Sequence, residues 1–203
     1  MISKKTISRY KILLMLLVVI GVGVSFTMSQ LHMSINPLYS DETVVFEPAF
    51  LGTWTAGDEG FVVEKRGDEY YTVTARLSGD DWLNPLEVHL VQLGQHYFVD
   101  IYPEDDNEAL NKGYYPYLPT HAFLAFELEG DVLKLGMLDD DWLQEKLESG
   151  ETDIKYARPP GDRSGCPYLV GLGSSTEELQ RFFLKYGEDE DAFEWEEFQK
   201  QKR

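Results

Sequence analysis

Four histidines are the side chains best suited to acid–base or metal chemistry in this chain. His32 lies near the N-terminus, whereas His89, His96 and His121 lie on or beside predicted strands. Imidazole nitrogens are common zinc ligands, but zinc sites usually draw ligands from closely spaced positions, and no two of these histidines are two or four residues apart. A metal-assisted hydrolase that uses His89, His96 or His121 with loop carboxylates is therefore the alternative hypothesis.

Two acidic runs could bind calcium, because carboxylate oxygens are the ligands that calcium prefers. One run contains Glu104, Asp105, Asp106 and Glu108, and the other spans residues 139–141. Neither has the alternating Asp-x-Asp-x-Asp-Gly pattern that wraps a loop around the ion. We interpret the runs as solvated surface and as a helix cap, and we predict no metal and no cofactor.

Nucleophilic catalysis has no recognisable motif in this sequence. The chain lacks Gly-x-Ser-x-Gly, Gly-x-x-x-x-Gly-Lys and His-Glu-x-x-His. Residues 171–175 match half of a phosphate-binding loop, but the start of a capped helix accounts for them. Cys166 is the only cysteine, so an internal disulfide is impossible, and no histidine nearby in the sequence would activate its thiol. The sequence therefore predicts a non-enzymatic protein.

A group of tyrosines marks the most promising binding surface. Residues 103–120 contain three prolines and no regular period, so they form a long loop between two strands, and such loops are often functional. Tyr114, Tyr115 and Tyr117 lie in this loop, and Tyr102 precedes it. Tyrosine is enriched at protein interfaces. We predict that these four residues bind a protein partner or an apolar small ligand; a loop packed over the end of the barrel by its own rings is the alternative.

The elements that would position these residues are mainly strands. Residues 72–77 and 86–90 alternate apolar and polar side chains, which is the period of a half-buried strand. Apolar and aromatic runs at 97–102, 122–128 and 132–138 are typical of strands with little exposed surface.

Tight turns separate these strands. Gly67-Asp68, Gly94-Gln95 and Gly130-Asp131 each lie between two strand-like runs, and glycine supplies the positive φ that hairpins need. The fold class is therefore mainly β (α+β): an antiparallel meander that forms a small barrel or a strongly bent sheet.

Helices are predicted towards the C-terminus. A short helix is expected over residues 140–147. Ser174 and Glu177 have the spacing of a capping box, and the apolar residues of 179–186 then repeat at i, i+3, i+4 and i+7. The acidic tail that carries the aromatic residues of 193–198 is expected to form one more helix against the barrel.

The N-terminal segment predicts where the chain is delivered. Four basic residues precede an uncharged apolar run of 17 residues, 12–28, at the lower limit for a transmembrane helix, and its core also suits a signal peptide. Segment 1–28 is predicted as a signal anchor or signal peptide, 29–49 as a tether and 50–203 as an acidic β-rich domain. The positive-inside rule favours a membrane-anchored domain outside the cytoplasm, and secretion after signal cleavage is the alternative.

Net charge limits the partners. From Asp41 onward the chain has 14 basic and 36 acidic residues, a formal charge of −22. Nucleic-acid backbones would be repelled, so we expect no nucleic-acid partner and membrane contact through the N-terminal segment only. The leading hypothesis is a membrane-tethered domain that binds an envelope protein or an apolar small molecule. A purely structural envelope role is a further hypothesis.

The run Phe50-Leu-Gly52-Thr-Trp54 resembles the start of lipocalin-like (calycin) barrels. In those families the glycine allows a close turn and the indole closes one end of a small barrel that holds an apolar ligand. The resemblance therefore implies structural roles for Gly52 and Trp54. Residues 121–124 and 140–143 are also similar to segments of exported bacterial proteins, a resemblance that implies no function.

Overall fold

The chain is mainly β and contains a closed antiparallel barrel of eight strands with two helices. The computed structural model describes residues 33–76, 85–103, 120–152, 154–157, 169–170 and 173–202. The barrel strands are β3 (Gly52–Ala56), β4 (Glu59–Arg66), β5 (Tyr70–Arg76), β6 (Leu86–Leu93), β7 (His96–Pro103), β8 (His121–Glu129), β9 (Val132–Leu138) and β12 (Phe193–Lys200). The other elements are β1 (Met33–Ser34), β2 (Val44–Val45), β10 (Tyr156–Ala157), β11 (Leu169–Val170), α1 (Asp140–Ser149) and α2 (Thr176–Tyr186).

The predicted meander is confirmed. Strands β3 to β9 pair in chain order, and β12 then pairs with both β9 and β3, which closes the ring. The hairpin glycines Gly67, Gly94 and Gly130 have φ values of +67°, +63° and +60°. These are left-handed conformations that glycine adopts without a steric penalty, so each turn lies where the sequence indicated.

Alternation along the strands sends one set of apolar side chains into the barrel. Because successive side chains of a strand point to opposite faces, each strand contributes every second residue to the interior. The buried interior set is Phe50, Trp54, Phe61, Val63, Tyr71, Val73, Ala75, Leu86, Val88, Leu90, Val99, Ile101, Ala122, Leu124, Phe126, Leu133, Leu135, Met137 and Phe198.

A second core lies outside the barrel, between its outer face and the two helices. The buried members of this outer core are Leu38, Val91, Leu93, Phe98, Phe123, Ala125, Leu138, Leu143, Ile154, Leu179, Phe182, Phe183, Tyr186, Ala192 and Phe193. Outward residues of β6, β7 and β8 are therefore apolar where the helices cover them. This coverage explains why these strands read as nearly continuous apolar runs.

Both predicted helices are present, with small shifts at their caps. Asp139, not the following two aspartates, caps α1 by accepting a hydrogen bond from the Trp142 amide at 2.8 Å. The capping box of α2 is Ser175 with Glu178, one residue later than the sequence indicated. Ser174 is instead buried, and its hydroxyl accepts the Lys155 amide at 2.9 Å.

The prediction of a helix in the acidic tail is wrong. Phe193–Lys200 is strand β12, whose residues pair with β9 over seven positions and with β3 over two. Phe193 and Trp195 share the outer face, whereas Phe198 points inward. The spacings of two, three and five residues between these aromatic side chains fit a helix as well as a strand. The tail forms a strand because it pairs with the otherwise unpaired edges of β9 and β3.

Trp54 lies in β3 opposite Lys200 of β12. The indole is fully buried and donates from Nε1 to the Phe50 carbonyl at 2.8 Å. Lys200 lies 5.0 Å from the indole ring centroid and donates to the Ala49 carbonyl at 2.6 Å. Gly52, at φ +131°, leaves room for that lysine, since a Cβ there would lie 3.0 Å from Lys200 Cε.

The N-terminal leader lies outside the described residues. Within the part of the chain that the structure describes, no helix is both long and apolar enough to cross a membrane.

Gly60 provides a test of how closely the barrel strands approach. A Cβ at Gly60 would lie 2.3 Å from the Trp54 carbonyl oxygen, so Gly60→Ala must displace backbone. We expect a loss of about 2 kcal/mol in the free energy of unfolding, measured by urea titration of the purified chain. Gly173→Ala is the matched control, because a Cβ there meets only ordinary contacts at 3.7 Å. Equal stability of the two variants would contradict the close approach.

Candidate functional site

The interior of the barrel leaves little room for a ligand. The cavity inside it has a volume of about 20 Å³. Its lining is entirely apolar: Phe50, Phe61, Val73, Val88, Val99, Ile101, Leu124 and Leu135. That volume suits about one water molecule, whereas pockets for drug-sized ligands measure roughly 300–1,000 Å³. The barrel interior formed by the described residues is therefore a packed core.

Polar chemistry is concentrated on the outer face of the barrel instead. Glu87 and His89 lie on β6, Asp100 and Tyr102 on β7, and His121 at the start of β8. His89 pairs with Asp100, and Glu87 pairs with Tyr102, across the β6–β7 ladder. Because the inward residues of these strands alternate with them, all five side chains share the outer face. We call these five residues the histidine cluster.

Asp100 is the centre of this cluster. The carboxylate is completely buried, with one oxygen 2.7 Å from His121 Nδ1 and the other accepting the Leu38 amide at 2.6 Å. A buried carboxylate is tolerated only when hydrogen-bond donors compensate for the lost hydration. With Nδ1–H donated to Asp100, the ring orientation of His121 is fixed.

Glu87 and His89 form a second imidazole–carboxylate pair. His89 Nε2 lies 2.8 Å from Glu87 Oε1, and this hydrogen bond is the main reason that the pKa of Glu87 is lowered. Burial opposes that effect. The other ring nitrogen, His89 Nδ1, is buried and has no hydrogen-bond partner among the residues that the structure describes.

Residues 33–47 cover the cluster, and we call this segment the strap. The Tyr39 ring stacks on His89, with 3.9 Å between ring centroids, and meets His121 edge-on at 6.2 Å. Burial, reinforced by the negative charges of Asp100 and Glu87, raises the pKa of Tyr39. The tyrosine therefore stays neutral while it covers the histidines.

Short strands and side-chain hydrogen bonds attach the strap to the body. Its strand β1 pairs with the start of β8, and β2 pairs with β6 at Leu90 and Val91. Helix α2 holds the segment between them: Thr176 donates to the Pro37 carbonyl and Gln180 to the Leu38 carbonyl, each at 2.8 Å. Residues 33–49, which the sequence assigns to a tether, thus pack against the barrel.

The three strand histidines do not come together. His96 lies at the other end of β7, with Nε2 3.6 Å from a Glu188 carboxylate oxygen just after α2. Helix α2 packs on the face between His96 and the cluster. Among the residues that the structure describes, no three His, Cys, Asp or Glu side chains are grouped so that they could hold a metal ion.

The predicted binding tyrosines are placed only in part. Tyr102 is half-buried, and its ring centroid lies 4.5 Å from that of His121. Tyr114, Tyr115 and Tyr117 lie outside the described residues, as do the acidic run of 104–108 and Cys166.

Sequence reasoning missed Tyr39, Glu87 and Asp100 as members of a site. Two signals could have indicated them. Glu87 and His89 are two residues apart on a strand and so share a face. Asp100 is the only charged residue in the apolar run of 97–102, and a charge in a buried strand demands a partner.

Replacing Asp100 tests whether this carboxylate holds the strap. Asp100→Ala leaves the Leu38 amide and the His121 ring without their acceptor, so we expect a loss of about 3 kcal/mol in the free energy of unfolding. Hydrogen exchange at the Leu38 amide should accelerate more than exchange in β4. Asp58→Ala, at an exposed turn, should change stability by less than about 0.5 kcal/mol. Unchanged exchange at Leu38 would refute the anchoring role.

The Glu87–His89 pair predicts a pH-dependent contribution to stability. Because the pKa of Glu87 is lowered on folding, its contribution is present above the ordinary value of 4.5 and is lost as pH falls through the folded value. Glu87→Gln should therefore destabilise the chain at neutral pH, and the difference from wild type should shrink below about pH 4. Urea unfolding across this range measures the effect. Glu64→Gln, at an exposed position, should show no such trend; a parallel trend would contradict the assignment.

No protein-family model matches the chain, and neither a curated protein nor a solved structure matches it. The closed eight-stranded antiparallel barrel is compatible with the lipocalin-like fold that Gly52 and Trp54 suggested. Membership of that family stays a prediction.

Proposed function

We propose that this chain is a non-enzymatic binding domain that contacts a protein partner through the surface where the loop of residues 103–120 leaves the barrel. The observation that carries the proposal is the packed barrel interior, with its cavity of about 20 Å³. A barrel whose described interior residues leave no room for a ligand directs recognition to its surface. A protein partner is accordingly favoured over an apolar small ligand.

The ends of the loop are held by a ring contact and a buried hydrogen bond on the outer face. Tyr102 precedes the loop and His121 follows it, and their rings lie in contact. His121 is fixed in turn by Asp100. Rigid anchor points of this kind position a loop for recognition and lower the entropy that binding costs. Tyr102 and the three loop tyrosines are the proposed contact residues.

The covered state of the histidines supports a binding role over a catalytic one. His89 and His121 are each only 8% exposed, with Tyr39 of the strap between their rings and solvent. A general base must reach the proton that it abstracts, directly or through one water. Both imidazole–carboxylate pairs instead hold the strap and the ends of the loop.

The proposed setting is outside the cytoplasm, with the domain retained at the membrane by segment 1–28. This part of the proposal rests on the four basic residues and the apolar run that follows them. A partner in the cell envelope is consistent with that setting.

Site-specific photo-crosslinking in cells tests the proposal. A crosslinking amino acid at Tyr115 in the full chain should yield one discrete adduct with a second protein. The same amino acid at Gln144, on the solvent side of α1, should yield none. Tyr102→Ala should reduce the Tyr115 adduct several-fold, because it removes one ring of the proposed surface.

Native mass spectrometry of the purified chain can give the result that would contradict the proposal. An apolar small molecule that co-purifies stoichiometrically, together with no protein adduct from Tyr115, would overturn the proposal in favour of a ligand-binding barrel.

A further inference from the structure

A groove lies at the opposite end of the barrel from Pro103 and Thr120. The β6–β7 and β8–β9 turns form its sides, and its volume is about 590 Å³, within the range of ligand pockets. The lining residues that matter most are Glu47, Tyr97, Glu127, Glu129 and Trp195.

Two aromatic residues of this groove are unusually exposed for their size. Trp195 is 37% exposed and Tyr97 is 38% exposed. Trp195 lies flat on β9, because Gly136 beneath it has no side chain: a Cβ there would lie 3.0 Å from the indole ring. One indole face is thus supported by backbone, which leaves the ring as a preformed platform.

The charge of the groove is negative. Its described lining includes Glu47, Glu127 and Glu129 and contains no lysine or arginine. Two cations lie beside the groove: the Lys134 ammonium is 3.0 Å from a Glu127 carboxylate oxygen, and Lys200 donates to the carbonyl of the lining residue Ala49 at 2.6 Å. The pKa of Lys134 is raised, chiefly by its hydrogen bond to Glu127 and further by the charges of Glu127, Glu129 and Glu197.

Carboxylates beside an exposed indole are the groups that recognise an organic cation. A lysine or arginine side chain gains a cation–π contact with the ring and an ion pair with the carboxylates. Two cation–π contacts of this kind occur within the chain, where Lys200 lies over Trp54 and Lys146 lies over Trp142.

We propose that this groove binds a basic, extended segment of a partner protein, with one lysine or arginine side chain against Trp195. The inference is independent of the loop surface proposed above, since it concerns the other end of the barrel. It explains why a strongly acidic chain keeps an indole exposed next to carboxylates.

Fluorescence anisotropy with the purified full chain tests this site. The probe is a labelled peptide with lysine at every third position, compared with the same peptide carrying glutamine. Only the lysine peptide should bind saturably, and added salt should weaken it. Trp195→Leu, which keeps an apolar contact with Gly136 but removes the aromatic face, should weaken binding about tenfold.

Matched charge variants separate the groove from general attraction to an acidic protein. Glu129→Gln lies in the groove, whereas Glu145→Gln removes the same charge from the exposed face of α1. We expect binding about threefold weaker for Glu129→Gln, and no change for Glu145→Gln.

Equal effects of the two glutamine variants, or no saturable binding of the lysine peptide, would overturn the proposal. Displacement of the peptide by spermidine, added at the same concentration of positive charge, would also overturn the proposal. It would indicate that a small polycation is the ligand. Loss of this binding leaves the Tyr115 adduct unaffected, so failure at one surface is distinguishable from failure at the other.

Discussion

The pairing of β12 with both β9 and β3 is the contact on which the rest of the structure depends. Seven strands in a meander leave two unpaired edges, and each edge exposes backbone groups that must find partners. The C-terminal strand satisfies both edges at once. Both helices precede β12 in the chain and contribute their apolar faces to the outer core, outside the ring. Barrel closure therefore accounts for two separate hydrophobic cores.

The placement of charge follows from that division. The interior side chains described for the barrel leave a void of only about 20 Å³, and the polar groups under the strap lie on the outer face instead. Asp100 is fully buried there because the strap and His121 supply its donors. The buried Asp100 carboxylate is stable because its hydrogen bonds are satisfied. In a buried site, the loss of one hydrogen-bond partner costs more free energy than the same bond contributes in water.

Local signals predicted the elements well and the assembly less well. The hairpin glycines and the period-two runs identified the meander, because both effects act within a few residues. The tail that carries Phe193 and Phe198 was misassigned, because its conformation is decided by the edge of β9, about sixty residues earlier, and by that of β3, about 140 residues earlier. The pairing of Asp100 with the strap was missed for the same reason. A hydrogen bond from the Leu38 amide spans 62 residues and leaves no local pattern. Grooves such as that around Trp195 depend on turn geometry and side-chain exposure, which composition does not encode.

The strap has a mechanical consequence. It continues directly from the N-terminal segment, and its two β pairings involve only two residues each. Tension applied at the N-terminus reaches these short pairings and the Leu38–Asp100 hydrogen bond first, and each pairing joins two residues, against eight residue pairs between β6 and β7. We therefore expect the strap to yield before the barrel under such tension, which would uncover the histidine rings while the barrel remains closed.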